Sequence, residues 1–206
     1  MNLDNIEQVI GVGPHPQPWP DDSRYDRELL AQGDRRNVED KYRYWTVKAI
    51  VADLDQSRIG LHVAIENWQH DLNIGTIVRT ANAFNVAAVH VIGKRQWNRR
   101  GAMVTDRYLH VFHHPTIDHF VMSMKDKRII AIDNQPGATS LSQTVLPENA
   151  VFVFGGEGPG LSQEMIVASE SMVMIEQLGS TRSVNVGVAA GIVMYDWVRR
   201  HHLSSN

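Results

Sequence analysis

Five polar side chains, set in glycine-rich or small apolar surroundings, mark where this 206-residue chain could do chemistry. Asn73 and Arg79 stand six residues apart in NIGTIVRTANAF, a helical pattern otherwise built of apolar and small residues. Asn73 occupies an N-cap position, and Arg79 either snorkels to solvent or aims a guanidinium at phosphate or carboxylate. FVFGGEGPGLS holds four glycines in six residues, Gly155, Gly156, Gly158 and Gly160, with Glu157 among them. Glycine at that density between a strand and a helix lets the backbone approach a ligand closely. The register is not G-x-G-x-x-G and GK[ST] is absent, so neither the dinucleotide fingerprint nor the phosphate-cradling P-loop is matched. A structural turn favours Asn, Asp or Gly there, so Glu157 is either simply solvated or placed for use. GSTRSVNVGVAAGIVMYDW carries Ser183 and Asn185, each able to cap the helix that follows or to meet a ligand. Its Gly187, Ala190 and Gly191 form a small face that admits another element at close range.

The rest of the composition removes other chemistries. There is no cysteine, which excludes disulfides, thiolate zinc sites, cysteine nucleophiles and thiol redox reactions together. Ten histidines raise the question of a metal, with His110, His113, His114 and His119 grouped around a strand and loop, but H-E-x-x-H spacing is missing and no metal is expected. No G-x-S-x-G elbow supports a serine hydrolase. Arg199, Arg200, His201 and His202 place cations at a helix C-terminus, where the dipole favours them. The net charge of −3 does not advertise a polyanion-binding protein. That charge is unevenly spread: the first sixty residues hold eleven acids and eight bases, and the remainder is neutral. Residues 94 to 107, KRQWNRRGAMVTDR, concentrate Lys94, Arg95, Arg99, Arg100 and Arg107 against Asp106 alone, with Trp97 interleaved. This is either a solvated basic loop or a surface for phosphates and a stacked base.

The elements that must position these groups follow from the patterning. Residues 11 to 23 hold four of the eight prolines and read as an extended arm. Two helical patterns follow, parted at Gly33 and Asp34, the second with a seam of Val38, Tyr42, Trp45, Ala49 and Ala52. From Leu61 onward, short apolar runs (LHVAI, AAVHVIG, RIIAID, VFVFG, MVMI) alternate with helical patterns. Continuous apolar strands between helices predict an α/β domain with a parallel sheet of five or six strands covered on both faces. The expected organisation is an N-terminal arm and helical extension over residues 1–60 and an α/β domain over residues 61–206. All three chemistry-bearing segments fall after strands, where open parallel sheets place their ligands. The N-terminus has acids and prolines where a secretory signal would have a basic start and an apolar run, and no stretch approaches the ~18 apolar residues that span a bilayer. A cytoplasmic location with no membrane partner is the expectation.

Taken in order, N-x-G-x-x-x-R-T-A-x-A-F, G-x-E-x-x-G-L-S and S-x-N-V-x-V-A-A-G-I closely resemble the three signature motifs of the SpoU (TrmH-type) branch of the SPOUT RNA methyltransferases. The resemblance spans about residues 61 to 200. It implies an S-adenosylmethionine-dependent enzyme that methylates a ribose 2′-hydroxyl of tRNA or rRNA, with its C-terminal part tucked into a deep trefoil knot. By motif position, Gly155, Gly156, Ile175 and Val184 would line the cofactor site. Arg79, Asn73, Glu157, Ser183 and Asn185 would be catalytic, and residues 94 to 107 would meet RNA. The family works as a homodimer, so Arg79 of one chain would face the cofactor of the other. Gly156 stands where Asn is common, Glu176 where Pro is, Val184 where Leu is, and Gly187 where Ser is. A catalytically idle RNA-binding scaffold and a base-modifying methyltransferase of the wider superfamily are the alternatives.

Overall fold

The computed structural model describes residues 11–68, 73–156 and 160–203. The chain divides between Gln56 and Ser57 into two compact units.

In the first unit the proline-bearing arm leads to helix α1 (Arg27–Gln32), capped by Asp26, whose carboxylate accepts from the backbone N–H groups of Glu28 and Leu29. Gly33 ends it at φ +94, a conformation only glycine adopts freely. The second helical pattern is not one helix. It breaks into a 3₁₀ turn at Asp40–Tyr42 and helix α2 (Val47–Leu54), with Tyr44 between them at φ 63. Asp34 explains the break. Its carboxylate, wholly buried, accepts from Arg36 Nε at 2.9 Å, Arg36 Nη2 at 2.7 Å and the Tyr44 N–H at 2.9 Å, which diverts that amide from a helical ladder. Burial opposes the Asp34 charge, but the donors from Arg36 and Tyr44 outweigh it and hold the carboxyl at about 2. Thr46 then caps α2 through the Ala49 N–H at 3.1 Å.

The second unit is a parallel sheet of seven strands, one or two more than the patterning predicts. In chain order its elements are β1 (Ile59–Asn67), α3 (Asn73–Ala83), β2 (Val86–Gly93), β3 (Val111–His114), α4 (Ile117–Ser123), β4 (Arg128–Ile132), β5 (Thr139–Ser140), β6 (Ala150–Phe154), α5 (Gln163–Ala168), β7 (Ser171–Met174) and α6 (Val186–Val198). The strands lie in the order β3-β2-β1-β6-β4-β7-β5, every pairing parallel. The strands absent from the apolar pattern are the two edges: β3 reads VFHH, and β5 is only two residues long. The central strands are covered on both faces. Leu61, Val63 and Ile65 of β1 join a core with α3 and α6, while Ala64 joins a second core with α4 and α5.

Close packing of α3 against α6 depends on the small face anticipated from the sequence. A Cβ on Gly187 would meet Thr76 Cγ2 at 3.1 Å, and one on Gly191 would meet Thr80 Cγ2 at 3.8 Å. On the α4 side, four histidines form a hydrogen-bonded chain across three strands: His62 Nδ1 to His90 Nε2 at 2.9 Å, His90 Nδ1 to His114 Nε2 at 2.8 Å, and His114 Nδ1 to His119 Nδ1 at 3.0 Å. Only His114 and His119 belong to the group noticed in the sequence. Burial, with neighbouring positive charge as a smaller cause, pushes His62 down to about 4, His90 to about 3 and His114 to about 4, so these rings are neutral.

Candidate active site

The C-terminal ends of β4, β6 and β7 open into a cleft of about 620 Å³. Ile132, Phe154 and Ile175 give it an apolar portion, and Asp133, Asn134, Gln135, Gln177, Arg182, Ser183 and Asn185 line the rest with polar groups.

One wall is the glycine segment after β6. A Cβ on Gly155 would lie 2.1 Å from the carbonyl carbon of Gly160 and 2.3 Å from the Leu161 nitrogen, so only glycine lets the two ends of this loop touch. The Gly160 N–H closes it onto the Gly156 carbonyl at 3.2 Å. Two carboxylates at strand ends hold it in place. Asp133, after β4, accepts from the Leu161 N–H at 3.1 Å and from Gln135 Nε2 at 3.2 Å. Glu66, near the end of β1 and wholly buried, accepts from the Ser162 N–H and Ser162 Oγ, each at 2.7 Å, and from Trp68 Nε1 at 2.9 Å. Ser162 Oγ in turn caps α5 by accepting from the Met165 N–H.

The facing wall is the segment between β7 and α6, including Ile175, Ser183, Val184 and Asn185. Asn134 Nδ2 donates to the Arg182 carbonyl and ties this wall to the end of β4. Asn185, rather than Ser183, caps α6: its Oδ1 accepts from the N–H groups of Gly187 at 2.9 Å and Val188 at 3.3 Å. The other end of the same amide reaches a different helix, Nδ2 donating to Asn73 Oδ1 at 3.0 Å. Asn73 is the first residue of α3. Arg79 lies further along α3, exposed, with no ion-pair partner among the described residues. It does not line its own chain's cleft.

The structure therefore places Gly155, Gly156, Ile175, Val184, Ser183 and Asn185 on one cleft, joins Asn73 to it through a side-chain bond, and leaves Arg79 outside. Glu157 lies outside the described residues. Lys94, Arg95, Arg99, Arg100 and Arg107 are all exposed on the loop after β2. Buried Asn67 fixes the start of that loop by donating to the carbonyls of Lys94 at 2.7 Å and Gln96 at 2.9 Å. The Arg99 guanidinium sits 5.5 Å from the Trp97 ring centroid and 3.3 Å from Asp106. Further on, the 3₁₀ turn Arg100–Ala102 rests directly on α3: a Cβ on Gly75 would meet the Ala102 nitrogen at 2.7 Å. That contact gives Gly75 its reason, and it seats the cationic loop on the helix that carries Arg79.

Sequence reasoning missed Glu66, Asn67 and Asp133. Each ends an apolar run in which a polar residue looks like ordinary strand termination, and only full burial with several donors or acceptors sets Glu66 and Asn67 apart.

Residues 60–195 match the model of the SpoU rRNA Methylase family. The chain belongs to this family. Among SpoU relatives, it is 26% identical over 145 residues to the tRNA (guanosine(18)-2′-O)-methyltransferase of Escherichia coli, covering 68% of this chain and 63% of that protein. It is 29% identical over 141 residues to the 23S rRNA (guanosine-2′-O-)-methyltransferase RlmB of Bordetella pertussis, covering 62% and 55%. This SpoU family chain thus spans less than two thirds of the length of either relative. Its fold is shared with the A. aeolicus TrmH/SpoU tRNA modifying enzyme, at a TM-score of 0.67 and 22% identity over 77% of this chain and 83% of that one. It is shared also with the SpoU methyltransferase AviRb of Streptomyces viridochromogenes in complex with AdoMet, at a TM-score of 0.65 and 20% identity over 74% and 65%. Within the SpoU sequence segment lie the whole cleft, α3 and the cationic loop.

Proposed function

We propose that this protein transfers a methyl group from S-adenosylmethionine to a ribose 2′-hydroxyl of tRNA or rRNA. The observation that carries the reading is the Asn185–Asn73 bond, because it couples the cleft wall to the helix that bears Arg79. Family membership and the names of the relatives support the same reaction.

The cleft suits the cofactor. Its volume and its apolar portion suit a nucleoside, Gly155 and Gly156 line it, and the Asp133 carboxylate offers negative charge toward a cation. When bound, S-adenosylmethionine supplies an electrophilic methyl on a sulfonium. The chain must then align the attacking oxygen, hold the adjacent phosphate still and accommodate a departing proton. A guanidinium has five donors and no acceptor, so Arg79 serves to clamp phosphate and to donate to the hydroxyl and not as a free base. Asn73 and Glu157 orient it, and Ser183 and Asn185 fix the substrate against the cleft wall. The five cations of residues 94 to 107 hold the RNA backbone, which confines the polyanion to one loop of a chain whose net charge is −3.

In this reading the active unit is a homodimer. α6 is apolar almost all round, and its Val188, Ile192 and Tyr195 remain 52%, 40% and 52% exposed along one stripe, a surface suited to a second copy. Arg79, absent from its own cleft, then serves the partner's. In the same reading the C-terminal part of the chain, which supplies the walls of this cleft, forms a trefoil knot. Substrates of this class place the protein in the cytoplasm, and no helix among the described residues is long and apolar enough to cross a membrane.

Calorimetric titration tests the assignment of roles. S-adenosylmethionine should bind the wild type and Arg79→Ala with the same affinity, while Arg79→Ala loses methyl transfer by at least about a hundredfold. Absence of cofactor binding by the wild type would leave an idle RNA-binding scaffold.

A further inference from the structure

Trp68 is 40% exposed, yet both ends of its indole are pinned. At one end Nε1 donates to Glu66 Oε1 at 2.9 Å, and Glu66 is wholly buried. At the other, the ring edge lies on the bare backbone of Gly93: a Cβ there would come within 2.6 Å of Trp68 Cε3 and 2.7 Å of Cζ3, and Gly93 adopts φ +98. Gly93 ends β2 and is followed at once by Lys94 and Arg95, both exposed, on a loop whose start is fixed by Asn67. Glu66 simultaneously holds Ser162 at the far end of the glycine loop. An aromatic ring is therefore locked in one orientation between the cofactor-loop anchor and the first cations of the basic loop, with much of its surface left to solvent. Burying a tryptophan would stabilise the fold, so a buried carboxylate spent on orienting an exposed one points to a ligand for the ring.

We infer that Trp68 is a stacking platform for an unpaired nucleobase of the RNA substrate, with Lys94 and Arg95 holding the flanking phosphates. This rests on the methyltransferase reading above and specifies its substrate: the target region is presented single-stranded, because a base inside a duplex has no free face for the ring. Stacking is sequence-tolerant and adds affinity without adding charge. Trp68 and the arginines should therefore be separable by salt.

The test uses the full chain with two probes, an unmodified tRNA transcript and a twelve-nucleotide single-stranded oligoadenylate. Trp68→Ala should weaken binding of both by roughly 5- to 100-fold, the range seen for loss of one stacked base. The slope of log affinity against log salt should stay unchanged, as should affinity for S-adenosylmethionine. Trp68→Phe, which keeps a ring and loses the N–H donor, should recover most of the lost RNA affinity. Wild-type RNA affinity in Trp68→Ala would overturn the inference, as would a Trp68→Phe variant as weak as Trp68→Ala. So would a Trp68→Ala variant whose defect is loss of self-association in sedimentation, which would make the ring a contact for a second copy. A wild-type protein that binds the cofactor but neither RNA would overturn the methyltransferase reading together with this one.

Discussion

Single residues in this site act through what they make impossible as much as through what they bind. Gly155 is the clearest case, since any side chain there would be driven into the backbone of Gly160 and Leu161. Gly155→Ala should lower S-adenosylmethionine affinity at least tenfold, measured calorimetrically, by prising the loop away from its anchors on Asp133 and Glu66. Asn185 combines two jobs in one amide, capping α6 and reaching Asn73. Asn185→Ala should cost about 1 kcal/mol of stability through the lost cap, while Asn185→Ser, which retains a capping oxygen but cannot span to Asn73, should restore stability without restoring turnover. Chemical denaturation and steady-state rates separate the two effects. The residues gathered on this cleft were legible in the sequence to the extent that their type was odd for its place, a string of glycines after a strand and an amide at a helix start, while the guanidinium in an apolar helix, equally odd, lies outside its own chain's cleft. Glu66 and Asp133 were not, because a carboxylate closing an apolar run is common, and the Ser162 and Leu161 groups they hold lie ninety-six and twenty-eight residues away in the chain.

Elements were read well where burial alone decides their character. β1, β2, β4 and β6 are covered on both faces and so appear as continuous apolar runs. Edge strands carry no such mark: β3 holds exposed Phe112 and two histidines, and its place is set by pairing with β2. The broken second helix of the N-terminal unit was unreadable for a different reason, since its apolar seam is real but Asp34 takes the Tyr44 amide out of the ladder. The histidine chain across β1, β2 and β3 carries an acid sensitivity with a definite sign. Above pH 6.5 these rings are neutral folded or unfolded and contribute no pH dependence. As pH falls below 6.5 the unfolded chain takes up protons that the folded chain, with values of about 4, 3 and 4, refuses, so stability declines progressively down to about pH 3. The facing Lys127 adds to the effect at His62 and His90. Melting temperature measured from pH 7 to pH 4 should fall, and should fall less in a variant with His62, His90 and His114 all replaced by Leu. At the cationic loop, Arg99→Ala with Arg100→Ala should weaken RNA binding and reduce the magnitude of the salt slope by about 1 to 2, unlike any change at Trp68.

At the scale of the whole molecule, net charge misleads and topology informs. The acidic excess resides in the first sixty residues, and the neutral remainder carries five of its twelve Lys and Arg residues on one loop seated against α3. In the proposed reading, the separation of Arg79 from its own cleft calls for a dimer, and subunit mixing checks it. At a cofactor concentration too low to load Gly155→Ala, mixed assemblies of Arg79→Ala and Gly155→Ala should regain about a quarter of wild-type activity, because half the dimers are mixed and each of those holds one intact shared site. Ribose methylation itself is read most directly from the product. Incubation of the full chain with S-adenosylmethionine and unmodified tRNA and rRNA, followed by nuclease digestion and mass spectrometry of the nucleosides, should yield a 2′-O-methylated nucleoside that disappears with Arg79→Ala. Methyl groups found only on bases, or none transferred by a protein that binds both cofactor and RNA, would contradict it.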